Sequence, residues 1–212
     1  MTDTGASTDP PSLPPTSWAV LGLLSFGWEL SGYDLKKWAD WSLRFFYWSP
    51  SFSQIYGELK RLERLGYAHS RPVSADGVRG KWVYTITPSG MSAVTRWANE
   101  TPVEPPVLKH SVMLRVWLGH LSEPERLREI LEQHRDYAEK MRVRAEADAD
   151  GASEERAWAY PEAALRWAQR YYEAERDLAG ALLEDVERLA QTHRPADTPP
   201  GDDADAGNSR AG

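Results

Sequence analysis

Residues 50–66 read PSFSQIYGELKRLERLG, and the elements on either side are placed from this stretch. Gln54 follows Ser51 by three positions, the S-x-x-Q form of a capping box, so a helix opens just after Ser51. Ile55, Leu59 and Leu62 recur at i, i+4 and i+7 and predict one apolar face. Tyr56, Lys60, Glu63 and Arg64 fall on the other side. Gly66 supplies a C-terminal stop, which sets the helix at about 52–65. The aromatic run FFYW, 45–48, precedes it and is placed to wedge the turn and hold this helix proud of the core.

Upstream, Thr16 reads as the N-cap of a first helix through WAVLGLLS to Ser25. FGWEL then reads as a turn. Ser31 with Asp34 is a looser capping box for a second helix to about Phe45, in which Leu35, Trp38 and Leu43 alternate with Lys36, Lys37 and Asp40. Downstream the period changes to two. Residues 67–72 and 81–87 alternate, and KWVYTIT is rich in β-branched and aromatic residues. VSADGVRG lies between them, giving a two-stranded hairpin with a long tip. Thr87-Pro88 caps a fourth helix to about Ala98, and PVEPP at 102–106 breaks the chain.

Beyond that break the pattern is helical. One helix is expected over 107–118. Ser122-Glu-Pro-Glu125 opens another to about Ala147, with apolar or small residues at 127, 131, 138, 141 and 145 and His134 in the same row. ADADGASEER reads as a loop. A last helix over about 160–191 repeats the alternation at Leu165, Ala168, Tyr172, Glu175, Ala179, Leu182, Val186 and Leu189, and only Glu175 breaks the stripe. Some thirty residues span roughly 45–50 Å. So long a stripe wants a long partner, either the neighbouring helix or another chain. The domain reading is therefore tails at 1–15 and 193–212, domains at 16–101 and 107–192, and a linker at 102–106.

The 212 residues are 41% hydrophobic, enough for a real core, and contain no cysteine. That excludes a disulfide framework, a thiol nucleophile and a thiolate metal site, and fits a cytoplasmic location. No basic region leads into an apolar run and no segment approaches a membrane span. The net charge of -7 is uneven: 17–100 carries ten Lys/Arg against seven Asp/Glu, or +3, which leaves -10 for the remainder. The five histidines are scattered without an H-x-x-x-H pair. No Gly-rich phosphate loop or G-x-S-x-G elbow occurs. The reading therefore assigns no catalytic residue, metal ligand or cofactor, and points to binding rather than chemistry.

Helix, helix, helix, strand, loop, strand is the order of a winged helix-turn-helix, whose third helix is the one offered to a major groove. The fold class read here is mainly α: an N-terminal winged helix-turn-helix with a two-stranded wing, plus a C-terminal domain of long helices. The chain also resembles the PadR-type transcriptional regulators. The matching pieces are AVLGLLS (19–25), SGYDLKK (31–37), FFYWSPSFSQIYGELKRLERLGY (45–67) and KWVYTITPSG (81–90). Past the linker, 112–137 and 160–189 resemble the long helical C-terminal domain of one subfamily. The resemblance implies a homodimer joined through those helices (Leu165, Ala168, Tyr172, Ala179, Leu182, Val186 and Leu189), a pseudo-palindromic double-stranded operator, and repression relieved by an effector. An acidic winged-helix module that contacts protein rather than DNA is the competing reading.

Under the DNA-binding reading, Tyr56 and Lys60 face DNA and Arg64, near the helix end, clamps a phosphate. Arg61 could point either way. Ser51 and Ser53 start the helix, where free N–H groups favour an anion; Ser51 caps it or contacts DNA. Gln54 either caps the helix or reaches a base edge. Tyr33 matches the Gly-Tyr of the family, where its hydroxyl reaches phosphate, or it is half-buried core. Arg79 and Lys81 flank the wing tip and touch the backbone or minor groove, or act only as long-range charge. Ten tryptophans is a high count. Trp18, Trp41, Trp48, Trp117, Trp158 and Trp167 serve core and dimer packing or line a pocket for a small planar aromatic effector.

Overall fold

The computed structural model describes residues 13–75, 78–154 and 156–192. Most of both expected tails and Asp76 lie outside the described residues, as does the Arg79 side chain. The chain packs as two compact units, one built from residues up to Leu108 together with Glu139–Glu173, the other from Lys109–Ala138 together with Ala174 onward. The boundary at 102–106 follows chain order, whereas packing groups 139–173 with the N-terminal elements.

The first unit holds α1 (Pro15–Leu24), β1 (Leu30–Ser31), α2 (Gly32–Trp41), α3 (Phe52–Arg64), β2 (Ala68–Ala75), β3 (Val78–Ile86) and α4 (Pro88–Glu100). α1 starts one residue before Thr16, on Pro14, with no side-chain cap. Proline tolerates this place because its missing N–H has no helical partner there. Leu13, expected in the tail, packs against the core. α2 ends at Trp41, and the segment to Phe45 tightens into a 3-10 turn.

The wing is a three-stranded antiparallel sheet in the order β1-β3-β2. The FGWEL turn, read as irregular, supplies part of the third strand: Leu30 pairs with Tyr84 and Ser31 with Val83. The long hairpin tip contracts, since β2 runs to Ala75 and β3 starts at Val78, with a register shift between Val73 and Ala75.

Val20, Leu21 and Leu24 of α1 meet Leu35 and Ala39 of α2, and Ile55, Leu59 and Leu62 of α3, in one core that Tyr84, Ala93 and Val94 complete. α3 is thus seated by one face and leaves the opposite face open. Only Phe45 of the four-aromatic run is buried; Phe46 and Tyr47 are exposed. Phe45 meets Tyr172 edge-on at 6.3 Å, and the Tyr172 hydroxyl donates to the Phe45 carbonyl at 3.2 Å. The wedge is one ring deep.

α6 (Pro124–Ala152) and α7 (Ala159–Thr192) each give one end to each unit, and α5 (Ser111–Trp117) lies in the second. α5 is shorter than the expected 107–118 helix and is capped by His110, whose Nδ1 accepts the Met113 amide at 3.2 Å. The expected ADADGA loop is helical to Ala152, because Ala145, Ala149 and Ala152 continue the buried row of α6.

In the first unit Gln169 bonds Glu146 and Arg166 bonds Asp150. In the second, Leu127 and Leu131 of α6 pack with Leu183 and Val186 of α7. The neighbouring helix is therefore the long partner that the α7 stripe wanted. Leu165, Ala168, Tyr172, Ala179 and Val186, expected at a dimer seam, are buried within one chain. Leu183 replaces Leu182 in the seam, Leu182 is half-buried, and Leu189 is 56% exposed. Glu175, the break in the stripe, accepts hydrogen bonds from the Nε2 atoms of His110 at 2.6 Å and His134 at 2.8 Å. Burial alone would raise its carboxyl pKa; the two imidazoles outweigh that and hold it below the ordinary value. Among the described residues no helix is long and apolar enough to cross a membrane.

Candidate nucleic-acid interface

α3 is fixed at both ends by the residues that predict it. The Ser51 side chain accepts the Gln54 amide at 3.3 Å, and the Gln54 Oε1 accepts the Ser51 amide at 2.8 Å. Ser53 Oγ lies 3.0 Å from Ser51 Oγ. Gln54 therefore takes the capping alternative and leaves only its amide nitrogen outward. Gly66 closes the helix with φ 71°, a left-handed conformation costly for other residues.

On the open face Tyr56 is 45% exposed, and Lys60 and Arg64 are exposed beside it. Arg64 Nε donates to the Lys60 carbonyl at 3.4 Å, which lays its guanidinium along the helix. Arg61 turns away: its Nε sits 3.3 Å from Glu58, whose carboxylate also accepts the Ser17 hydroxyl of α1. Tyr33 is 65% exposed, so the half-buried alternative falls; its ring lies 6.5 Å from Phe52. Lys81 on β3 is exposed, 3.9 Å from Asp34. Burial would raise the Asp34 pKa, but bonds from the Ser31 hydroxyl and amide, with Lys81 and Lys37, hold it low.

Between α3 and the wing runs a groove of about 740 Å³ lined by Tyr33, Asp34, Tyr56, Lys60, Glu63, Lys81, Trp82 and Tyr84. Trp82, 55% exposed, was missed by sequence reasoning. The alternation of KWVYTIT carries the signal, since it sets Trp82 on the same strand face as Tyr84. Gly32 was missed as well. A Cβ there would stand 2.5 Å from the Tyr56 ring, so a residue without a side chain lets that ring lie against the start of α2. Under the DNA-binding reading, Gly32→Ala is expected to push the Tyr56 ring aside and weaken that binding, while the thermal midpoint moves little. Anisotropy beside a melt separates the two effects.

The six tryptophans do not form one pocket. Trp18 stacks on Trp97 at 5.2 Å, and Trp48 on Tyr47 at 4.1 Å. Trp117 and Trp167 are exposed, the latter stacked on Tyr171 at 5.4 Å. Trp41 and Trp158 are brought together at 5.1 Å, with Trp28 and Trp38 against Trp158. Beside Trp41 a recess of about 340 Å³ is lined by Tyr33, Lys36, Lys37, Asp40, Phe52 and Arg144.

No protein-family model matches the chain. The negative transcriptional regulator PadR of Bacillus subtilis is 37% identical over 100 residues, 47% of this chain and 54% of that protein, so the match spans about half of that relative's length. The PadR-like transcriptional regulator BC1756 from Bacillus cereus superposes with a TM-score of 0.69 at 25% identity, over 82% of this chain and 99% of that one. Bacillus subtilis PadR in complex with operator DNA gives a TM-score of 0.69 at 23% identity, over 80% and 98%. The same protein in complex with p-coumaric acid gives 0.59 at 24%, over 81% and 98%. These last two likenesses speak for the shared fold. The winged unit, its exposed third helix and the long C-terminal helices thus follow one another in the order of these PadR-like regulators, to which the chain is similar.

Proposed function

We propose that the protein is a homodimeric, ligand-responsive repressor that binds a pseudo-palindromic double-stranded operator. The observation that carries this reading is the exposed α3 face, with Tyr56, Lys60 and Arg64 beside a wing that carries Lys81. Lysine and arginine supply phosphate contacts that set affinity and register, and Tyr56 reaches base edges. The action is binding, without catalysis, in the cytoplasm.

A second copy is supported by apolar side chains that one chain leaves open in the second unit: Leu114, Trp117, Leu121, Leu178 and Leu189. Two heads then meet successive major grooves roughly 34–36 Å apart. The effector fits the recess beside Trp41, where aromatic rings and Lys36, Lys37 and Arg144 suit a small planar aromatic acid. It acts only as far as it prefers one spacing of the heads over the other.

Asp34 and Glu63 line the same groove as the cations, and this favours the rival reading, a protein-contacting module. Salt response decides between them. Binding to the protein's own promoter DNA, followed by anisotropy, is expected to weaken linearly in log–log form with a slope of about -0.9 per phosphate neutralised. No signal change at low salt would leave the protein-contacting module.

A further inference from the structure

We propose that His110, His134 and Glu175 form a binding site for one divalent transition-metal ion of the zinc class. The site lies in the second unit and does not depend on the DNA-binding reading. The three donor atoms lie within 4.8 Å of one another. Both imidazole Nε2 atoms aim at one oxygen, Glu175 Oε1, at 2.6 and 2.8 Å, and the rings stand 4.9 Å apart at 66°. All three residues are partly buried.

The donors come from three separate places: the residue that caps α5, the middle of α6 and the middle of α7. Helical spacing along one element does not explain such a convergence. Glu175 occupies a row that is otherwise apolar, where a carboxylate is costly unless partnered. Its partners among the described residues are these two imidazoles, with no Lys or Arg bond.

Two imidazole nitrogens and one carboxylate oxygen make a donor set that suits zinc and its neighbours and leaves a fourth position open. Magnesium and calcium, which want oxygen ligands, are disfavoured. Metal–ligand bonds of about 2.0–2.1 Å place tetrahedral donors roughly 3.3–3.5 Å apart. The carboxylate therefore has to withdraw from each imidazole by less than about 1 Å, a side-chain adjustment. A metal on Nε2 leaves each ring proton on Nδ1. In His110 that atom now accepts the Met113 amide. Metal binding therefore releases the N-terminal cap of α5 and couples occupancy to the start of that helix.

The test is a Co²⁺ titration of the chelator-treated full chain, read by visible ligand-field absorption. The expected result is saturation at one equivalent, reversal by Zn²⁺, and a thermal midpoint that rises with added Zn²⁺. Glu175→Gln and His134→Gln are expected to weaken Co²⁺ binding by about 100-fold or more, beyond the loss expected for a residue that only hydrogen-bonds a ligand. His120→Gln, outside the cluster, is expected to leave binding intact. His110 is retained because it also caps α5. Absence of saturable absorption, or binding unchanged in both variants, overturns the proposal. Should the variants lose their circular-dichroism signature, ring-nitrogen NMR of the wild type with Zn²⁺ decides: shifts at His110 and His134 support the site, and shifts only at other histidines overturn it.

Discussion

Replacing Lys60 and Arg64 together with alanine is expected to weaken binding to promoter DNA by roughly 100-fold or more at low salt. The log–log salt slope should flatten by about four, because each of two half-sites loses two phosphate contacts. Both side chains are exposed on α3, away from the Ile55, Leu59 and Leu62 face that seats the helix. Stability should therefore move by no more than about 0.5 kcal/mol. Lys60 lies on the groove and Arg64 is laid back along the helix axis, so on the proposed reading each would meet its own phosphate. A salt series by anisotropy, with a melt of each protein, checks both halves of the expectation. An unchanged slope would mean that DNA meets another face.

Leu59→Ala is expected to cost about 2–5 kcal/mol, the range for removing a fully buried leucine side chain. Leu59 has no exposed surface and lies in the cluster that joins α1, α2 and α3 to the wing. The loss combines transfer of the side chain with the cavity left behind, since α3 is pinned by its N-terminal box and by Gly66 and cannot slide to fill it. Urea unfolding followed by circular dichroism gives the value. DNA binding should fall in step with the folded fraction, unlike the surface double variant, which stays folded. A cost under about 1 kcal/mol would show that the helix is seated by other contacts.

The elements read most clearly from the chain are those whose ends are written locally. The boxes at Ser31/Asp34 and Ser51/Gln54 form as their spacing implies, as do the stop at Gly66 and the cap at Thr87. β1 was not legible, because two residues become a strand only by pairing with β3, more than fifty positions away. The 147–152 stretch reads as a loop through its Asp and Gly residues, yet buried alanines keep it helical: packing outweighs a weak local preference.

The open face of α3 was legible from helical spacing. Trp82, and the fit of Gly32 under Tyr56, were not, since both depend on which element lies opposite. The His110, His134 and Glu175 cluster was hidden by separations of 41 residues from His134 and 65 from His110. Its traces were the charge that interrupts the α7 stripe and the histidine that stands in the α6 row.

The contact between Gly32 and Tyr56 ties the volumes of two positions that belong to different helices. On the operator-binding reading, a library that randomises position 56 keeps a bulky ring in its present place only while position 32 stays glycine. A small residue at 56 frees position 32 to carry a methyl group or more. Redesign of the proposed recognition face therefore has to vary the two sites as a pair, because a scan of either site alone holds the other at a volume that limits it.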